Sequence, residues 1–399
     1  MMVSAGRKKR ILIIVENLPS PFDRRVWQEA TTLQDAGYEV SIICPTGKGY
    51  EKKFEIIDDI YIYRHNLPLE ADGVLGYFLE YSAALFWQFY LSFKVLFSRG
   101  FDAIHACNPP DLIFLIGAFY KLFGKKFIFD HHDINPELYV AKFGRKDFFY
   151  KLMILFEWLT FKTADVSIAT NESYKEIAIN RGKMPVAKIH VVRSGPKLDR
   201  MKIIDPVISH KHSKTYLIGY VGVIGKQEGV DHLLRAAKII IQDQGRNDVQ
   251  FAIVGGGTEL DSLKVYCTKL CLDNFVTFYG RVSDQILLEV LNTADVCVNP
   301  DLANEMNDKS TMNKIMEYMA LKKPIVQYDL VEGRFSAEGA SLYAKRNNEQ
   351  DLADKIIILL GSENLRSEMG EIGYQRIIKH LQWEFEAPKL LKAYQQVFD

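Results

Sequence analysis

Short runs rich in Ile and Val alternate with longer amphipathic segments along nearly the whole chain. In the first half the runs are Ile11–Val15, Glu39–Cys44, Ile60–Arg64, Ala103–Ala106, Lys126–Asp130, Val166–Ala169 and Ile189–Val192. Apolar runs bounded by turn residues read as strands buried on both faces. Helical patterns fall between them, near 22–37, 74–98, 110–123, 146–162 and 172–181. This alternation predicts an α/β fold, a parallel sheet covered by helices on both faces. It stops at Ser194–Thr215, a stretch with Gly195, Pro196, Pro206 and no clear period, which reads as an interdomain linker. It then restarts with strands at Tyr216–Val221, Val249–Val254, Val276–Tyr279, Val296–Asn299 and Pro324–Tyr328. Helices are expected near 231–244, 258–272, 283–294, 309–321, 349–361 and 363–379, and from Trp383 to Phe398. Two doubly wound domains are therefore expected, 1–198 and 199–380, with a terminal helix in 381–399. Open parallel sheets bind ligands at the carboxyl ends of their strands, so the expected site is a cleft between the domains.

Composition narrows the partners. Of 399 residues, 48% are hydrophobic and 25% charged, the balance of a globular protein with large cores. Lys+Arg and Asp+Glu are both 50, which argues against a globally basic nucleic-acid binder. The charge is uneven: residues 1–200 hold 27 Lys/Arg against 23 Asp/Glu, a net of +4, and the remainder carries −4. Five scattered cysteines show no zinc spacing and argue against a disulfide framework, which fits a reducing cytosol. Cys267 and Cys271 read as one buried helix face. Arg7-Lys8-Lys9-Arg10 runs straight into the first strand, too short an apolar run for a secretory signal.

Several motifs sit where strands end. Gly255-Gly256-Gly257 follows a strand and opens a helix, where glycines let amides approach an anion. Gly222 begins a second glycine-spaced turn that sets Lys226 at a helix start, a pairing suited to a diphosphate. In Asn304–Ala320, Asp308 or Ser310 is an expected cap, with Lys309, Ser310, Thr311 and Asn313 crowding the first turn, a further anion site. Glu317, two turns in, is placed to accept bonds from two ribose hydroxyls. Asp130-His131-His132-Asp133 follows a strand and suits the positioning of a hydroxyl or a departing phosphate. Its histidine spacing is poor for a metal. Pro21-Phe22-Asp23-Arg24-Arg25 joins a turn to two arginines at a helix start, a loop able to close over an anion.

Taken in order, these motifs, with Gly280-Arg281, Glu317-Tyr318-Met319-Ala320, Lys323-Pro324 and the closing Trp383-Glu384, resemble the retaining glycosyltransferases of family 4. The resemblance spans nearly the whole chain. Ser20–Arg25, His131-His132-Asp133 and Asn307–Lys314 are similar to a branch that builds bacterial O-antigen or exopolysaccharide units. It implies the GT-B fold, two Rossmann-like domains with a terminal helix crossing back to the first. It implies an N-terminal acceptor domain and a C-terminal domain holding a nucleotide diphosphate sugar, UDP-linked by family habit. Gly222, Lys226, Gly255, Gly256, Gly257, Arg281, Ser310, Thr311, Met312, Asn313 and Glu317 would bind that donor. His132, Asp133 and Lys309 would be catalytic, with Pro21, Phe22, Asp23, Arg24, Arg25 and His131 lining the acceptor side. No metal or other cofactor is implied, since lysines and helix amides neutralise the diphosphate. The chain departs from the family pattern at Lys309, where a Glu is usual, at Val223, where an Arg is usual, and at Glu228, where a Lys is usual. Lys226 and Lys309 are expected to replace the missing charges.

The aromatic segment 74–97 is long enough to span a bilayer, but Glu80, Gln88 and Lys94 interrupt it. Segment 145–162 interleaves Arg145, Lys146, Lys151 and Lys162 with six aromatic residues, a composition suited to an anionic membrane surface. A cytoplasmic enzyme peripheral to the inner membrane face, moving a sugar to a lipid-linked glycan, is the leading expectation. A catalytically silent nucleotide-sugar-binding subunit, a nucleotide-sugar 2-epimerase and a glycan phosphorylase are the alternatives.

Overall fold

A computed structural model describes residues 7–66 and 73–399, the side chains of 73–81 excepted. The part of the aromatic segment that includes Glu80 therefore lies outside the described side chains. Among the described residues, fourteen strands form two sheets. They are β1 (Arg10–Ile14), β2 (Glu39–Pro45), β3 (Phe54–Ile57), β4 (Ile60–His65), β5 (Ala103–Cys107), β6 (Lys126–His131), β7 (Val166–Ala169), β8 (Ile189–Val191), β9 (Tyr216–Val221), β10 (Val249–Val254), β11 (Val276–Gly280), β12 (Val296–Asn299), β13 (Ile325–Tyr328) and β14 (Ser341–Ala344). The chain divides into one unit of Met1–Arg193 with Glu386–Asp399 and a second of Ser194–Phe385.

The first unit holds the order β3-β4-β2-β1-β5-β6-β7-β8, parallel except where β3 pairs antiparallel with β4. The second holds β11-β10-β9-β12-β13-β14, parallel throughout. The strands are apolar because both their faces are covered: Ile11 through Ile14 are at most 1% exposed. In each unit the strand order reverses beside the first strand, between β1 and β5 and between β9 and β12. That is the doubly wound, Rossmann-like arrangement expected for each half.

Several elements were not expected. β3 is an edge strand reached through Asp58 and Asp59, both at positive φ, a tight turn without the glycine that usually marks one. β14, the helix Asn135–Phe143 and the helix Val331–Ala337 are short and lack a clear period. The supposed linker Ser194–Thr215 belongs wholly to the second unit. Its backbone is tied to the helix Asp284–Thr293: the amides of Ile204 and Val207 donate to Asn292 Oδ1 and Thr293 Oγ1. Cys271 is a further correction. The helix ends at Lys269, so Cys267 is buried while Cys271 is exposed, at φ 55°.

Candidate active site

In the second unit, Gly222 follows β9 and Asp301 lies just beyond β12, one on each side of the crevice where the strand order reverses. Lys314, in the first turn of the helix Asn313–Ala320, pairs with the buried Asp301 carboxylate at 2.8 Å. Its ammonium also lies 4.9 Å from the centre of the Tyr220 ring. Burial pushes the Asp301 carboxyl up, and Lys314 opposes that shift. A Cβ built on Gly222 would stand 3.2 Å from Lys314 Cε, so the lysine lies against this turn. An anion there meets a cation beside glycine backbone.

The two glycine-spaced turns pack on each other. A Cβ on Gly255 would stand 1.8 Å from the Gly222 carbonyl oxygen, and one on Gly257 2.3 Å from that of Ile224. The Ile224 amide donates to the Gly256 carbonyl, and the Gly255 amide to the Gly280 carbonyl. These glycines thus serve close backbone approach, and the Gly255 amide is already spent on protein. The Arg281 stem crosses Gly256, with its Cγ 3.1 Å from where a Cβ would be. Lys226 is exposed in a short 3₁₀ turn, not at the start of a longer helix.

The Lys309 expectation is corrected. Asn304, not Asp308 or Ser310, caps a five-residue helix, Glu305–Lys309. Lys309 closes that helix and pairs with Glu305 at 3.0 Å, one turn earlier. Ser310, Thr311 and Met312 form the break before the next helix, and Asn313 is its first residue. Glu317 is therefore one turn in, not two. It is half-buried, and its Oε1 accepts from Arg200 Nη1 at 3.1 Å. The same guanidinium holds Asp284 through Nε at 3.0 Å.

In the first unit, Asp130 near the end of β6 and His132 just past it belong to a buried charge cluster. Arg25 Nη2 donates to Asp130 Oδ1 at 2.9 Å and lies 3.0 Å from Glu29 Oε1. His132 Nε2 and His105 Nε2 meet Asp130 Oδ2 at 2.5 and 3.3 Å. Burial opposes the Asp130 charge, but Arg25 and His132 outweigh it and hold the carboxyl well below its usual range. Burial likewise opposes charge on His132, and Asp130 outweighs it, holding the imidazole well above its usual value. Burial pushes the Glu29 carboxyl up to about 7. Asp133 is half-buried and accepts from Asn17 Nδ2 at 3.4 Å, its carboxyl pushed up by burial.

Two expectations for this side are corrected. Arg25 is not a loop cation: only 8% of it is exposed, and it supplies the counter-charge inside the cluster. His131 is not in a cleft loop. It is fully buried against Phe161 and Tyr174, with Glu157 Oε1 3.5 Å from its Nε2. His131 turns to Glu157, Phe161 and Tyr174, whereas His132, just past the strand, meets Asp130, so the two do not share a site. Pro21, Phe22 and Arg24 stay at or near the surface, and Asp23 caps the helix Arg24–Asp35 through the Val26 amide. Two trios, His105–Cys107–Asp130 and Glu29–Asp130–His132, hold their ligand atoms within 4.8 Å as metal ligands would, and Arg25 lies among them.

Lys314, Arg200, Glu29 and His105 were not singled out by sequence. Lys314 carried a signal, standing beside Asn313 at a helix start. Glu29 carried one too, standing one helical turn from Arg25, whereas Arg200 and His105 are placed by tertiary packing alone.

Residues 23–200 match the model described as Glycosyltransferase Family 4, and residues 215–362 that described as Glycosyl transferases group 1. The uncharacterized glycosyltransferase MJ1069 of Methanocaldococcus jannaschii is 22% identical, over 92% of this chain and 91% of the relative. The capsular polysaccharide biosynthesis glycosyltransferase CapM of Staphylococcus aureus is 25% identical over 58% of this chain and 62% of its own length. Anabaena HepE, solved in complex with UDP-glucose, superposes with a TM-score of 0.72 at 14% identity, over 97% of this chain and 99% of that one. The chain belongs to the glycosyltransferases of the GT-B fold, its first half a family 4 domain and its second a group 1 domain.

Proposed function

We propose that the protein moves a sugar, with retention of configuration, from a UDP-sugar to a lipid-linked glycan in bacterial surface polysaccharide synthesis. The observation that carries this reading is Lys314 at the Gly222 turn, with Glu317 one turn along the same helix. The lysine would neutralise the diphosphate and Glu317 would take the ribose hydroxyls, Arg200 holding its carboxylate in place. Anabaena HepE was solved with UDP-glucose, which supports uridine as the base, and the name of CapM supports a polysaccharide product. His132 would stand by the acceptor hydroxyl. The acceptor would attack on the face the phosphate leaves, and the phosphate would take its proton. No metal or other cofactor is proposed, since Lys314 supplies the cation.

Among the described residues, no helix is long and apolar enough to cross a membrane. Phe86, Tyr90, Phe93 and Phe97 recur at helical spacing along one exposed stripe, Phe97 at 83% exposure. The rings continue through Phe119 to Phe123, next to the exposed Leu122. Lys94 lies on the same helix and Lys125 just beyond Phe123, while Lys121 is paired with Asp165 at 2.8 Å. This supports peripheral binding to an anionic inner-membrane surface.

The test is thermal-shift binding of UDP, GDP and their sugars, with and without Mg²⁺, followed by transfer to a lipid-linked acceptor. Ligand at 100 times its Kd stabilises the fold by about 2.7 kcal/mol. Metal-independent stabilisation by uridine nucleotides with turnover is expected. Binding without turnover would favour a silent binding subunit, and C2 proton exchange an epimerase.

A further inference from the structure

We propose that Tyr394, on the last helix, is a positioning residue for His132 and acts through His105 and Asp130. Four side chains form one continuous chain within the first unit. The Tyr394 hydroxyl lies 2.7 Å from His105 Nδ1. His105 Nε2 lies 3.3 Å from Asp130 Oδ2, and the same oxygen meets His132 Nε2 at 2.5 Å. Tyr394, His105 and Asp130 are fully buried, whereas the His132 side chain keeps 14% exposure. The chain thus begins on the C-terminal helix and ends on a residue a ligand can touch.

Two imidazoles share one carboxylate oxygen, so each affects the other. Tyr394 fixes His105 at Nδ1 and also stacks on its ring, centroids 6.1 Å apart. That commits the His105 Nε2–H to Asp130. The groups facing His105 are Arg25 and Glu29 from the helix Arg24–Asp35, Asp130 on β6 and His132 just past it, Cys107 on its own strand, and Tyr394. His132 itself faces Asp130, Cys107, Asp133 and Arg25, whose Nε lies 3.0 Å from its Nε2. Tyr38 packs on Tyr394, ring centroids 5.6 Å apart. Burial opposes charge on His105, but the bond to Asp130 outweighs it and lifts the imidazole to about 10. In the charged ring both nitrogens carry a proton, and the Nδ1–H donates to the tyrosine oxygen. Without that oxygen a buried N–H loses its acceptor, which disfavours the charged ring. Asp130 is then left to Arg25 and His132, and His132 keeps its proton to higher pH.

The inference rests on His132 standing at the acceptor side, but its first readout needs neither donor nor acceptor. The histidine resonances of the full chain are titrated by NMR in wild type, Tyr394→Phe and Tyr38→Phe. In Tyr394→Phe the His132 midpoint is expected to rise by about half a pH unit or more, while Tyr38→Phe leaves it in place. Superimposable His132 curves for wild type and Tyr394→Phe overturn the proposal. His105→Gln keeps an amide toward Asp130 and removes the charge. It is expected to raise the His132 midpoint too, and an unmoved midpoint overturns the proposal. In the transfer assay Tyr394→Phe is expected to lower kcat with donor KM kept within about twofold. An effect confined to KM overturns it. If wild type transfers no sugar while the NMR shift is found, the transferase reading fails and the relay stands.

Discussion

The Lys314 ammonium lies 2.8 Å from the Asp301 carboxylate, a buried anion that holds the cation in place at the carboxyl end of the second sheet. A charge positioned before the ligand arrives costs little to reorganise when it binds. Lys314→Gln keeps a hydrogen bond to Asp301 and removes the charge. Donor affinity is expected to fall about 10- to 100-fold, the worth of one charge-assisted hydrogen bond. Lys309→Ala is expected to change it by less than about threefold, because that lysine belongs to a helix-surface pair. Calorimetric titration with UDP-glucose checks both.

Gly255 and Gly280 both have positive φ, but their surroundings differ. A Cβ on Gly255 would stand 1.8 Å from backbone, whereas nothing lies within 4 Å of one on Gly280. Gly280→Ala is expected to cost about 1 kcal/mol, the conformational penalty alone. Gly255→Ala is expected to cost more than about 3 kcal/mol, because backbone must move. Urea unfolding of the two variants measures the difference.

His65 links acid to stability. Burial pushes its imidazole down to about 4, and its Nε2 has no protein partner among the described residues. Below its ordinary pKa of about 6.5 the unfolded chain takes up a proton that the folded chain refuses. This contribution to stability is thus present above pH 6.5 and lost as pH falls toward 4, to at most about 3 kcal/mol. His65→Phe retains a ring against Trp87, which stacks on it at 6.4 Å. Its stability is expected to fall less than that of wild type between pH 7 and 4.5 in urea titrations. Equal losses would remove His65 from the acid response.

Vesicle binding tests the aromatic stripe. Phe97→Ser and Leu122→Ser remove two of the most exposed apolar side chains. Together they are expected to cut sedimentation with anionic vesicles by about tenfold and leave the melting temperature unchanged. Binding that survives both changes, or that is equal on neutral vesicles, would discount this surface.

The fold was legible because both sheets are parallel and buried on both faces, so their strands are written as unbroken Ile and Val runs. β3 escaped because Phe54 and Ile56 face outward on an edge and its turn is Asp58-Asp59. The glycine turns were legible as turns, but what they approach was not: Gly255 answers to the Gly222 carbonyl, 33 residues away in sequence. Lys309 and Lys314 look alike in the chain, and only the break at Ser310–Met312 separates an outer pair from the crevice. Ser310 back-bonds to the Met306 carbonyl there, where a continuous helix was expected. The cluster around Arg25 and His105 was not legible: Glu29 stands one helical turn from Arg25, but Asp130 and Tyr394 meet them only after the sheet has formed.

The first unit takes its last fourteen residues, Glu386–Asp399, from beyond the whole of the second. The Glu386 carboxylate accepts the Arg193 amide, and Tyr394 caps His105. On the ribosome, at about 5–20 residues per second, some 10–40 s separate Arg193 from Glu386. During that interval the second unit can close, while the first waits with His105 uncapped. The unit whose synthesis starts first is therefore completed only after the whole of the second has been made, and its buried charge cluster is set only when Tyr394 reaches His105.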